Sequence, residues 1–146
     1  MAPDTRTRSE DCMCLAVRQA ARHVTQSYDQ FLAPTRLRTT QFSILAKLKR
    51  LGPMTINALA RELVMDRTTL GRTMLPLERD GLISIKDGTL DRRSKELHLT
   101  RAGTARLVAA LKLWSDAQKH FAAAFGAERA LNLRNELHAL VSNELA

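Results

Sequence analysis

The chain has 146 residues, 45% of them hydrophobic and 4% aromatic; that is one ordinary domain, with a core of Leu, Val, Ile and Ala, and it excludes a disordered chain. No apolar run is long enough to cross a bilayer, and the polar start, Met1 to Asp11, lacks the hydrophobic stretch of a secretory signal, so a soluble cytoplasmic protein with no membrane partner is expected. The formal net charge is +8, and all of it lies between Arg36 and Arg106, where 15 Lys and Arg face 7 Asp and Glu while the remainder balances at 8 and 8; a polyanion-binding centre between neutral arms has this pattern.

In chain order, the spacing of Leu15, Val17, Ala20, Ala21, Val24, Tyr28, Phe31 and Leu32 predicts a helix from about Asp11 to Leu32, closed by Pro34. Thr39 is expected to cap a second helix with Phe42, Ile44, Leu45, Leu48 and Leu51 on its apolar face, and Gly52-Pro53 to stop it. Thr55 should cap a short helix, Ile56 to Leu63. After a break at Val64-Met65, Asp66 should cap another, Arg67 to about Arg79, with Leu70, Met74 and Leu77 facing inward and Gly81 beyond its end. Pro76 lies inside that helix, where it removes a donor, so a kink or a tightened turn is expected there.

The period then changes. Leu82, Ile83 and Ile85, and then Leu97 and Leu99 alternating with Glu96 and His98, predict two antiparallel strands. A polar, turn-prone loop, Lys86 to Arg93, joins them. Thr100 should cap a long helix to Phe125, Gly126 should break it, and a last helix should run from about Glu128 to Leu145. The fold class is mainly α with a small β-hairpin wing. It is a winged helix-turn-helix domain bracketed by N- and C-terminal dimerisation helices. The expected organisation is a single domain over residues 1–146, with a DNA-binding core at 37–100 and dimerisation helices at 11–33 and 101–145.

The centre carries the chemistry. A short helix, a tight turn and a second helix led by polar residues form a helix-turn-helix. The second helix offers Arg67, Thr68, Thr69 and Arg72 near its N-terminus. Arginine bonds guanine bidentately, and threonine offers a hydroxyl to bases or phosphates and a methyl to thymine. The hairpin adds Lys86, Arg92 and Arg93 at its tip with Lys95 behind, a narrow basic projection suited to a minor groove. Asp91 is expected to hold Arg93 by a charged hydrogen bond. The alternative is a winged-helix protein-interaction adaptor without sequence-specific DNA binding. A hydrophobic recognition-helix face would mark it, and here that face is polar.

The segment from Leu37 to Gly103 resembles the MarR family. The resemblance is carried by Leu37-Arg38-Thr39-Thr40-Gln41-Phe42, Leu59-Ala60, Asp66-Arg67-Thr68-Thr69 and Leu77-Glu78-Arg79-Asp80-Gly81-Leu82-Ile83. Most specific are Asp91-Arg92-Arg93-Ser94-Lys95 and Leu97-His98-Leu99-Thr100-Arg101-Ala102-Gly103. The chain departs from the common wing of the family in placing Gly88-Thr89-Leu90 before Asp91. The resemblance implies a homodimer on a pseudo-palindromic operator in double-stranded DNA. Such a dimer usually represses and is released by a ligand or an oxidant.

Two effector readings stay open. The stretch Cys14 to Leu32 resembles the first helix of the organic-hydroperoxide-sensing branch of the family, with Cys14 at the reactive cysteine and Tyr28 at one of two tyrosines that contact the sulfur from the partner subunit. Arg18 stands at the other tyrosine position, one turn from Cys14, where it favours thiolate. Cys12 is the second thiol. The bland reading is two structural cysteines. The rival effector is a small aromatic anion in a pocket lined by Val24, Tyr28, Phe42, Trp114 and Gln118, residues that core packing explains equally well. No metal or cofactor is expected, because Cys12, Cys14, His23 and His120 lack a standard zinc spacing. An enzyme is not expected either. His23, His98, His120 and His138 form no triad spacing, and the glycines form no phosphate loop.

Overall fold

A computed structural model describes residues 8–143 and Leu145. A 3-10 turn at Ser9–Asp11 leads into α1, Met13–Leu32. The Sγ of Cys12, at its N-cap, accepts from the Leu15 amide at 3.4 Å. Pro34 falls in a second 3-10 turn, Ala33–Thr35, and Arg36 closes that turn with φ 61°.

The second helix, α2, spans Thr39–Leu51 and ends at Gly52 with φ 83°. Thr39 does not cap it, contrary to the sequence reading. Thr39 is already helical, and its amide donates to Asp29 Oδ1 of α1 at 2.7 Å. The N-cap is Arg38, whose amide donates to Gln41 Oε1 at 3.0 Å. A carboxylate ten residues upstream has taken over the capping, and so pins the first long helix to the start of the second.

The helix-turn-helix follows. Helix α3, Ile56–Leu63, is capped by Thr55, whose Oγ1 accepts from the Ala58 amide at 3.1 Å. Val64 then takes the left-handed conformation, φ 53°, and the Met65 amide donates to the Ala60 carbonyl at 2.9 Å. This six-to-one closure is the usual helix stop, with valine where glycine is ordinarily favoured. Helix α4 runs unbroken through Pro76 from Arg67 to Arg79. Gly81, φ 73°, makes the same kind of stop, with the Leu82 amide on the Leu77 carbonyl at 2.9 Å.

The sheet has three strands where the sequence reading expected two. β1, Met54–Thr55, pairs antiparallel with β3, Lys95–Leu99, which pairs on its other side with β2, Ile83–Asp87. Opposite Leu97 stand Met54 on one side and Ile85 on the other, so the buried leucine sets the register of both neighbours. Two residues of β1 carry no period of their own. Only the edge of β3 makes them a strand.

Helix α5, Arg101–Phe125, is capped by Thr100, whose Oγ1 accepts from the Gly103 amide at 3.0 Å. Gly126, φ 99°, breaks it, and α6 runs Ala127–Ser142. That end is shorter than expected, since Leu145 lies outside the helix and is exposed.

The core gathers in the centre. Ile44, Leu45, Leu59, Leu70, Leu77, Ile83 and Leu97 are fully buried, each worth about 1.5–3 kcal/mol of transfer free energy. From α1 only Leu32 is buried, and α6 buries no residue. Met13, Val17, Val108, Leu111, Leu131, Leu133, Leu137 and Val141 stay exposed on α1, α5 and α6. No helix among the described residues is long and apolar enough to cross a membrane.

Candidate nucleic-acid interface

Helix α4 is positioned by its cap and its buried side. Asp66 Oδ1 accepts from the Thr69 amide at 2.8 Å, and its Oδ2 accepts from the Thr69 hydroxyl at 2.6 Å. These bonds hold the Asp66 carboxyl below the ordinary carboxylate range, the hydroxyl contribution first. Leu70, Met74 and Leu77 anchor the other side in the core. Arg67, Thr68 and Arg72 are thereby left exposed. Thr69 is exposed too, but its hydroxyl proton is committed to the cap rather than to a base. Leu75 and Arg79, at helical spacing from Thr68 and Arg72, share that exposed face. The sequence reading missed both. The spacing was the available signal.

The wing is braced by its own backbone. The Gly88 amide donates to the Ser94 carbonyl at 2.7 Å and the Ser94 amide to the Asp91 carbonyl at 3.1 Å. A Cβ on Gly88 would lie 2.4 Å from the Asp91 carbonyl oxygen, so the chain turns back here by the absence of a side chain. Glu96 Oε1 accepts from the Thr89 amide at 3.1 Å.

Two expectations for the wing are corrected, those for Asp91 and Lys86, while Lys95 stands behind the tip as expected. Asp91 does not grip the Arg93 guanidinium. Its Oδ1 accepts from the Arg93 main-chain amide at 2.9 Å, the short-range turn that aspartate makes with the backbone two residues on. Lys86 is not at the tip but inside β2, opposite Glu96. Lys95 opens β3 and its ammonium bonds Asp87 Oδ1, which balances its charge. Arg92 and Arg93 are the exposed cations of the tip.

Tertiary packing then joins helix and wing. Arg67 at the start of α4, Arg93 and Lys95 of the wing, and Thr55, Ile56 and Asn57 at the start of α3 line one polar groove of about 150 Å³. Nothing local in the sequence places Arg67 beside Arg93. The amide ends of two helices with the guanidinium groups of Arg67 and Arg93 make this groove an anion-facing surface, the Lys95 ammonium being balanced by Asp87.

The expected effector pocket divides. Phe42 and Trp114 stack at 6.0 Å with an interplanar angle of 20°. They line a hollow of about 270 Å³ together with Ser43, Ala46, Lys47, Arg50 and Leu111. Lys47 also bonds Glu62 of α3 at 3.0 Å. Tyr28 and Gln118 are not in that lining. The Tyr28 hydroxyl donates to Gln118 Oε1 instead, and burial pushes the phenol above its ordinary pKa, partly offset by Arg134. Val24 does not line the hollow either. Cys12 and Cys14 are exposed, as is Arg18 one turn on. Cys14 and Tyr28, 14 residues apart on one helix, stand about 21 Å apart along its axis and cannot meet within a chain.

The chain is similar to known proteins over this region and beyond it. The MarR family model matches residues 37–95. The chain is 32% identical over 85 residues to YwoH of Bacillus subtilis, an uncharacterized HTH-type transcriptional regulator; the match takes in 58% of this chain and 61% of that relative. It is 36% identical to the transcriptional regulator MosR of M. tuberculosis in a complex with DNA, with a TM-score of 0.80 over 90% of this chain and 94% of that one. It is 26% identical to the transcriptional repressor CouR bound to a 23-mer DNA duplex, with a TM-score of 0.80 over 90% of this chain and 93% of that one. These relatives are transcription regulators and not enzymes. The family match runs from the start of the second helix through the recognition helix to the wing, and the likeness to MosR extends that agreement over nearly the whole chain; this protein belongs to the MarR family.

Proposed function

We propose that the chain is a DNA-binding transcription regulator acting as a homodimer on a two-fold operator, most simply as a repressor. The observation that carries this reading is the groove uniting Arg67 of α4 with Arg93 and Lys95 of the wing. Helix and wing then address the same stretch of duplex, α4 in the major groove and the wing tip beside it. The matched regulators bound to DNA support it.

The dimer is supported by the apolar side chains that α1, α5 and α6 leave exposed, notably Leu133, Leu137 and Val141. A two-fold partner covering them would present two copies of α4 about 34 Å apart, one turn of duplex. Release by a small aromatic anion is supported by the Phe42–Trp114 hollow. Its lining is mainly apolar, and it includes Arg50 to meet a carboxylate, the Lys47 ammonium being already paired with Glu62. Thiol oxidation is the second reading, supported by the exposure of Cys14 in the first turn of α1.

One binding titration tests the proposal. Duplexes selected from a random pool are titrated across salt concentrations, with and without aromatic carboxylates and organic hydroperoxide. Binding that weakens steeply with salt is the expected result. Absence of binding to any duplex at low salt sinks the reading. Sedimentation of the free protein as a monomer at micromolar concentration removes the dimer.

A further inference from the structure

Leu90 is fully exposed, at 101% of its reference surface. Most other exposed large apolar residues lie on α1, α5 and α6, where the proposed two-fold partner would cover them. Leu90 belongs to none of these helices. It sits at the wing tip between β2 and β3, followed closely by the exposed Arg92 and Arg93.

The loop is also held in shape. Gly88 bonds Ser94, Ser94 bonds the Asp91 carbonyl, Asp91 turns onto the Arg93 amide, and Thr89 bonds Glu96 through both its amide and its hydroxyl. An apolar side chain on such a braced tip is kept outward and in water. Its exposure gains nothing for the free fold.

The surroundings name the occupant. The segment from Arg36 to Arg106 carries the whole +8 excess, and two arginines follow the leucine by two and three residues. A minor groove has phosphates along its rims to meet the arginines and sugar walls and base steps inside to meet an apolar wedge. We infer that Leu90 enters the minor groove of the operator as an apolar wedge, and that it sets affinity and sequence preference at the wing-contacted steps. The inference rests on the DNA-binding reading above. It assigns to an uncharged side chain part of what the wing arginines do by charge.

The test uses the full-length protein and a duplex selected by that protein. Leu90→Ser removes the wedge, and Leu90→Met keeps it. Neither should alter folding, because the side chain lies entirely in solvent, and thermal melting checks this. Leu90→Ser is expected to weaken binding about tenfold, the loss of one partly buried leucine side chain. The slope of log affinity against log salt should stay at the parent value, since no phosphate contact is lost, whereas Arg93→Ala should lower that slope by about one. Hydroxyl-radical protection at the wing-contacted sugars should disappear in Leu90→Ser and persist in Leu90→Met. If Leu90→Ser binds and protects as the parent does, the inference is overturned while DNA binding stands. A change in self-association in place of DNA affinity overturns it too, and makes the tip a contact between copies. If the parent binds no duplex, the DNA reading fails and this inference falls with it.

Discussion

A Cβ placed on Gly103 would stand 2.0 Å from the carbonyl oxygen of Leu82. The first turn of α5 therefore lies directly on the backbone that links α4 to β2. Thr100 closes the same joint, with its hydroxyl donating to the Gly81 carbonyl at 2.6 Å and its amide to the Leu82 carbonyl at 3.2 Å. Recognition helix, wing and long terminal helix meet at one point, and glycine is what lets them meet. Gly103→Ala should cost about 1–3 kcal/mol by overpacking, more than the roughly 1 kcal/mol that alanine returns in helix propensity. Denaturant unfolding of the two proteins measures this, and equal midpoints would show that the joint yields freely.

Val64 holds the opposite kind of strain. It is β-branched, largely exposed, and left-handed at φ 53°. That conformation costs a branched residue about 1–2 kcal/mol, and there is little packing to lose. Val64→Gly should stabilise the protein by about 0.5–1 kcal/mol after the added chain entropy is counted. Urea unfolding is the measurement, and a destabilised variant would contradict the account of this turn.

Helix and wing should be separable in DNA binding. Arg72→Ala should lose about 1–3 kcal/mol at one operator position and relax base preference there. Arg93→Ala should weaken binding to selected and unrelated duplexes alike, with a shallower salt dependence. Competition between specific and random duplexes reads both. If Arg72→Ala discriminates as the parent does, base reading belongs to other residues of α4.

Acid should loosen the start of α4. Hydrogen bonds from the Thr69 hydroxyl and amide lower the Asp66 pKa below its ordinary 3.8. A depressed folded pKa means that the stabilisation is complete above the unfolded value and is lost as pH falls from near 4 through the folded value. Asp66→Asn, which still caps, should flatten that part of the stability profile. Denaturant midpoints measured between pH 5 and about 2 test it, and identical profiles would mean that Asp66 contributes nothing to acid lability.

Much of the fold was legible because several decisive bonds close within three residues. Thr55, Asp66 and Thr100 were readable as caps, and Gly52, Gly81 and Gly126 as stops, since each acts on its own neighbours. The basic centre, the exposed Arg67, Thr68 and Arg72 of α4 and the Asp91-Arg92-Arg93 wing were also visible as sequence, and so was the family. Tertiary structure decided what depends on distant partners. Met54 and Thr55 become a strand only beside Leu97 and Glu96, and the Thr39 amide finds its acceptor on Asp29 of another helix. Lys86 belongs to the ladder rather than the tip because buried Leu97 fixes the register that sets it opposite Glu96. Tyr28 and Gln118, 90 residues apart, bond each other, and neither lines the Phe42–Trp114 hollow. Arg67 reaches the groove with Arg93 and Lys95 only after the core has packed α3, α4 and β3 together. A cap needs one side chain and a nearby amide, which a short stretch of sequence specifies. A register or a shared groove needs the burial of leucines from separate elements, and that is settled only when the whole core closes.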